Sequence, residues 1–260
     1  MTTLAGRRIV VTRRPGQSSA LVQALRDRGA EAVEVPAIET GPPEDPGPLD
    51  EALGRLERYD WVAFTSANAV QAVRDRLIAL GLPPAIGRRG PRIATVGAST
   101  SDVLRSAFPE EVVDLEPEGE SRAAGLLRAF ARVISAGARV LLPASRRARD
   151  ELPRGLRTLG ATVDVVEAYR TVEPPGLAEA VTRCLDEGFD MVTFASPSAV
   201  EGFVAAAGPR AAGLPAVVIG PTTETAARAA GLDVQAVAHP SSAEGLVAAL
   251  ERLLRTAPRP

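Results

Sequence analysis

Two stretches of this 260-residue chain repeat one another in order, and that duplication limits the possible folds more than any other feature. Ile9-Val10-Val11 through Gly29-Ala30 matches Val140-Leu141-Leu142 through Gly160-Ala161, an offset of 131 residues from Gly29 to Gly160. Tyr59-Asp60-x-Val-x-Phe-x-Ser66 with Ala69-Val70 matches Phe189-Asp190-x-Val-x-Phe-x-Ser196 with Ala199-Val200. Val96-Gly97 ahead of Ser99-Thr100 answers Ile219-Gly220 ahead of Thr222-Thr223. Ser121 with Gly125-Leu126 answers Ser241 with Gly245-Leu246. Four matches in one order imply two copies of one architecture.

Each copy alternates β-branched runs with Ala-, Leu- and Arg-rich helical stretches. Strands are expected at 8–12, 31–35, 61–65, 92–96, 112–115, 139–142, 162–167, 191–195, 216–219 and 234–237, with helices at 18–28, 68–80, 151–159, 199–206 and 224–230. Gly29, Gly81, Gly160 and Gly231 each follow a helix where a left-handed cap is wanted. Strands in such an alternation run parallel and are covered by helices on both faces, which defines an α/β fold. The length favours two domains over one.

Charge and composition narrow the chemistry. Acidic and basic residues nearly cancel to a net charge of −2, without the basic surplus of a nucleic-acid binder. No apolar run is long enough to span a bilayer and no signal-peptide core precedes the first strand, so a soluble, cytoplasmic protein is expected. Cys184 and His239 are each the only residue of their type, too few for an internal disulfide or a His/Cys zinc site. All 30 basic residues are Arg, which excludes a Schiff-base lysine, lysine-anchored pyridoxal phosphate and a P-loop lysine.

Small hydroxylated or cationic residues follow six of the strands: Thr12-Arg13-Arg14, Ser66-Ala67-Asn68, Ser99-Thr100-Ser101, Ser145-Arg146-Arg147, Ser196-Pro197-Ser198 and Thr222-Thr223. In a parallel α/β sheet these turns lie at the carboxyl ends of the strands, where ligands bind and helix N–H groups attract anions. A Ser, Thr or Asn at one such turn is accounted for by helix capping. Six turns, with Arg in two of them, point to an extended anionic ligand held by many modest hydrogen bonds.

The segments YDWVAFTSANAV, IATVGAST, VVEAYRT, FDMVTFASPSAV and IGPTTETAARAAG, in this order and spacing, resemble the uroporphyrinogen-III synthase family. The likeness runs from VVTRRPG near the start to PSSAEGL near the end. It implies two flavodoxin-like α/β domains joined by a two-stranded ladder, with the ligand in the cleft between them. One domain would be discontinuous, residues 1–36 and 172–260, and the other, 37–171, inserted. The crossings would be Glu34 to Thr40 and Val165 to Thr171, ahead of Gly41-Pro42-Pro43 and Glu173-Pro174-Pro175. Members of the family act in porphyrin and heme biosynthesis as hydro-lyases. They cyclise hydroxymethylbilane with loss of water and inversion of the last pyrrole ring, using no cofactor or metal. The expected partner is therefore this small-molecule substrate alone, met by a monomer.

The resemblance places Tyr169, in the YRT motif, at the family's tyrosine position, as the general acid that helps the terminal hydroxyl leave. The duplication separately marks the same residue, because its counterpart in the other copy is Ile38. The competing account of Tyr169 is hinge packing, since a free phenol titrates near pH 10. Tyr59 is expected in the core, its counterpart being Phe189. Ser66, Thr100, Ser196, Ser198 and Thr223 fall on family cleft positions, and Thr12 and Arg13 fit the opening TR motif. Asn68, Ser99 and Thr222 in the same turns, and Ser145 and Arg146 in the matching turn of the second copy, complete the expected substrate-binding set. His239 is expected in a loop, and the Arg146-Arg147-Arg149 cluster has a solvated helix face as its plain alternative. A two-lobed module that binds a small molecule without chemistry would share this fold, but it gives no reason for Tyr169 to differ from Ile38.

Overall fold

A computed structural model describes residues 4–14, 16, 18–119, 122–146 and 150–256. The first stretch carries β1 (Arg8–Val11), α1 (Ser19–Arg26), β2 (Glu31–Glu34), β3 (Glu39–Gly41) and α2 (Gly47–Gly54). There follow β4 (Trp61–Phe64), α3 (Ala67–Ala79), β5 (Arg92–Thr95), α4 (Ala98–Ala107), α5 (Ala123–Phe130) and β6 (Arg139–Ser145). Next come α6 (Glu151–Thr158), β7 (Thr162–Val172), α7 (Leu177–Glu187), β8 (Met191–Phe194) and α8 (Pro197–Ala207). The chain then forms β9 (Pro215–Val218), α9 (Pro221–Ala229), β10 (Asp233–Val237) and α10 (Ala243–Thr256). The glycines that close α1, α3, α6 and α9 take positive φ, from +66° at Gly81 to +87° at Gly160.

The strands form two five-stranded sheets, ordered β10-β9-β8-β1-β2 and β3-β7-β6-β4-β5. The chain divides into two compact units, Met1–Glu39 with Thr171–Pro260, and Thr40–Arg170. The first unit pairs its strands in parallel throughout. In chain order its sheet reads second, first, third, fourth, fifth, the doubly wound flavodoxin-like order. In the second unit β4 pairs in parallel with β5 and β6, and β6 with β7. The chain passes between units within β3 and β7, which are hydrogen-bonded neighbours.

Laid over the duplication, this topology is an exchange. β1 and β2 of the first copy share a sheet with β8, β9 and β10 of the second, while β6 and β7 of the second copy share one with β4 and β5 of the first. The repeated Asp of each copy fastens the exchange at the amino ends of the strands. Asp190 Oδ2 accepts from the Arg8 backbone N–H at 2.7 Å. Asp60 Oδ2 accepts from the equivalent Arg139 N–H at 2.8 Å. Each copy thus clasps the first strand of the other.

Strand alternation sends successive residues to opposite cores. In the first unit Val10, Val192 and Phe194 pack with Val181 and Phe203 of α7 and α8. On the other face Ile9, Val11 and Val217 pack with Leu21 and Leu250 of α1 and α10. In the second unit Val62, Phe64 and Leu141 face α2, α3 and α4. Trp61, Ala63 and Leu142 face α5 and α6. Both central strands β4 and β8 are buried at every position, as strands covered on both faces must be.

The strand expected at 112–115 does not form; it is reduced to one parallel bridge, Ala94 to Leu115. The reason is local. The Ile93 N–H, which a neighbouring strand carbonyl would accept, donates to Asp114 Oδ2 at 2.7 Å. Val112 is left 71% exposed.

Candidate functional site

The six hydroxyl- and Arg-bearing turns divide evenly between the units. Those after β4, β5 and β6 lie at the carboxyl edge of one sheet, and those after β1, β8 and β9 at the carboxyl edge of the other. In each sheet the strand order reverses between two of these turns, after β6 and β4 in one and after β1 and β8 in the other. Such a reversal opens the crevice in which doubly wound sheets bind ligands.

In the second unit Ser66 and Tyr169 come together. Ser66 has extended backbone and caps α3, its Oγ accepting the Ala69 N–H at 3.2 Å. The same Oγ lies 3.0 Å from the Tyr169 phenol oxygen. Tyr169 reaches that position through an irregularity in the ladder: Ala144 pairs with Glu167, but the next residue, Ser145, pairs with Tyr169. Ala168 is the extra residue of a bulge, and bulges re-aim side chains. Strict alternation would place Tyr169 on the sheet face opposite Val166 and Ala168. With the bulge it packs against the same core as both of them, beside the start of α3. Tyr169 is half-buried, as are Ser145 and Asn68.

Thr100 is buried and Ser99 exposed in the first turn of α4, whose cap is Gly97 without a side-chain bond. Arg146 is exposed and paired with Glu44. Arg147 and Arg149 lie outside the described residues. Tyr59 is a core residue whose hydroxyl donates to Asp164 Oδ2 at 2.9 Å, and burial, followed by that bond, pushes its phenol up to about 12.

In the first unit Ser196 repeats the cap of Ser66, accepting the Ala199 N–H at the same 3.2 Å. Ser198 follows, half-buried, in the first turn of α8. Thr12 is fully buried, and its hydroxyl donates to the Thr193 carbonyl at 2.7 Å, tying the end of β1 to β8. Thr223 is buried and Thr222 exposed at the start of α9. Arg13 is half-buried, and among the described residues no hydrogen bond or ion pair holds its guanidinium. Burial lowers its pKa, opposed by the nearby charge of Glu244. Arginine remains charged under such a shift, so the group is a desolvated cation available to an anion.

Glu244, at the start of α10, escaped the sequence reading. Its carboxylate is held below the usual range first by its own backbone N–H, then by the Ser242 hydroxyl and by Arg13. The one available signal was the Ser-Ser-Ala-Glu run opening a helix. Among the described residues no three His, Cys, Asp or Glu side chains gather as a metal-holding group. No helix there is long and apolar enough to cross a membrane.

Comparison with known proteins agrees with this arrangement. The family model described as uroporphyrinogen-III synthase HemD matches residues 19–248. The uroporphyrinogen-III synthase of Synechococcus elongatus is 31% identical over 97% of each chain. The chloroplastic uroporphyrinogen-III synthase of Oryza sativa is 30% identical over 86% of this chain and 73% of its own. The crystal structure of uroporphyrinogen-III synthetase from Helicobacter pylori shares the fold, with a TM-score of 0.65 at 15% identity over 95% of this chain and 99% of that one. With the family model covering most of its length and a relative 31% identical over 97% of it, the chain belongs to the uroporphyrinogen-III synthase family.

Proposed function

We propose that the protein is a hydro-lyase that closes hydroxymethylbilane to uroporphyrinogen III with inversion of the last pyrrole ring, and that Tyr169 is its general acid. The observation that carries the chemical role is the phenol of Tyr169, half-buried and 3.0 Å from the Ser66 hydroxyl at the carboxyl edge of its sheet. Tyr59, the other tyrosine, is taken up in the core by Asp164. In the first step the C–O bond to the terminal hydroxyl breaks with its electron pair on oxygen, Tyr169 supplies the proton, and water departs. The pyrrole nitrogen feeds electrons to the carbon left behind. The last ring attacks this carbon through its already substituted α-carbon, forming one C–C bond; the bond from that α-carbon to its old methylene bridge then breaks, its electron pair returning to the ring. The freed methylene carbon, stabilised by the neighbouring pyrrole nitrogen, bonds to the free α-carbon of the last ring, and the proton lost there restores the phenol.

The rest is positional. The substrate carries acetate and propionate side chains on each ring, and carboxylates suit the donors present. In the first unit these are the Arg13 guanidinium, Ser198, Thr222, Thr223 and the amino ends of α8 and α9; in the second they are Asn68, Ser99, Thr100, Ser145, Arg146 and the amino ends of α3 and α4. Thr12 contributes by holding β1 to β8 so that Arg13 is correctly placed. Family membership favours this reading over a non-catalytic binding module.

The test supplies freshly made hydroxymethylbilane and separates the porphyrin isomers after oxidation. Isomer III is expected in excess of an enzyme-free control. Isomer I alone would refute the synthase reading. Tyr169→Phe is expected to lower kcat by about 100-fold or more, the scale of a lost general acid. Unchanged turnover would remove Tyr169 from the mechanism.

A further inference from the structure

We infer that Ser66 acts as a positioning residue for Tyr169, donating a hydrogen bond to the phenol oxygen so that the phenol proton points at the departing hydroxyl. This role rests on the proposed acid function of Tyr169. Ser66 has one hydrogen to give. Its Oγ already accepts the Ala69 N–H at 3.2 Å, which orients it at the mouth of α3. The phenol oxygen at 3.0 Å is within reach of that hydrogen, and a phenol whose own proton is committed to the departing hydroxyl can only accept in this pair. The resulting chain runs from the Ala69 N–H through Ser66 to Tyr169, and bonds in such a chain polarise one another. α3 is 13 residues long and has no acidic residue in its first turn, so no carboxylate of that turn offsets the positive end of its dipole. As the proton passes from Tyr169 to the leaving oxygen, the phenolate is met by the Ser66 hydroxyl and the start of this helix. It recovers its proton from the attacked ring at closure.

The duplication separates this role from capping. Ser196 caps α8 with the same 3.2 Å bond, but the counterpart of Tyr169 there is Ile38, so a cap alone calls for no phenol. Ser66 therefore combines a task both copies need with one that only the second unit has.

The experiment compares Ser66→Ala, Ser66→Thr and Ser66→Asp, each in the parent and in the Tyr169→Phe background, with hydroxymethylbilane as substrate. Asp keeps the cap but cannot donate when ionised. Ser66→Ala and Ser66→Asp are expected to lower kcat by about 10-fold to 100-fold, the range for a lost hydrogen bond to a charged group. KM should stay within about 3-fold, and Ser66→Thr should retain most of the activity. In the Tyr169→Phe background no variant should lose further activity, because coupled residues are not additive. Thermal melts of Ser66→Ala and Ser196→Ala should both fall, since both lose the same cap, and Ser66→Ala by somewhat more because it also loses the bond to Tyr169. Equal losses of kcat in both backgrounds, or a raised KM at unchanged kcat, would overturn the positioning role while leaving the synthase reading intact. Absence of isomer III from the unaltered protein would instead overturn the synthase reading, and this role with it.

Discussion

The two repeated aspartates invite a matched perturbation, Asp190→Ala against Asp60→Ala. Asp190 accepts the Arg8 N–H at 2.7 Å and the Arg7 Nη1 at 2.7 Å, with side-chain exposures of 10% for Arg7 and 21% for Asp190. Among the described residues the Asp60 carboxylate accepts one bond, from the Arg139 N–H at 2.8 Å, and Asp60 is exposed. A hydrogen bond to a charged group contributes about 1.5–3 kcal/mol, with exposed ones at the low end. Asp190→Ala should therefore cost about 3–4 kcal/mol, its two bonds sharing one carboxylate and adding incompletely. Asp60→Ala should cost about 1.5 kcal/mol. Urea unfolding of the full chain measures both, and the midpoint should move with the slope unchanged. Amide exchange locates the loss: Asp190→Ala should speed exchange in β1 and β8, and Asp60→Ala in β4 and β6. Equal costs, or faster exchange at Arg8 in the Asp60 variant, would refute the claim that each copy clasps the first strand of the other.

Three further outcomes are expected. A Cβ at Gly202 would lie 2.3 Å from the Ala37 carbonyl oxygen, so Gly202→Ala should destabilise by roughly 1–3 kcal/mol despite alanine's helical preference. Gly54→Ala, with open space around it, should be neutral or stabilising, and equal melting temperatures for the two variants would contradict the packing. Tyr59→Phe loses the bond to Asp164 and should cost about 1 kcal/mol at neutral pH. The Tyr59 phenol is raised from 10.0 to about 12, so its stabilisation is complete below 10 and lost as pH rises towards 12. The gap between parent and variant in urea midpoint should narrow over that window; a constant gap would refute the assignment. Arg13→Met removes a half-buried cation that no ion pair holds among the described residues, so melting temperature should hold or rise while KM for hydroxymethylbilane increases about 10-fold. A lower melting temperature at unchanged KM would make Arg13 structural.

The sequence alone was enough to show the copying, the α/β alternation, the two-faced cores and the left-handed glycine caps. These are written in local periodicity and residue type, which act over one or two turns of chain. The asymmetry between Tyr169 and Ile38 was also legible, because the duplication supplies its own control. Pairing across the sheets was not legible from periodicity, which carries no address for a distant partner. The family resemblance implied that residues 1–36 join 172–260, but only the tertiary structure gave the strand order that does this, β8 beside β1 and β4 beside β6, with Asp60 and Asp190 making the matched clasps. It also decided that residues 112–115 lose their ladder to the Asp114 side chain and that Thr12 spends its hydroxyl on Thr193. The one-residue bulge that brings Tyr169 to Ser66 belongs with these, since a register shift is a relation between two strands and is held by neither strand alone.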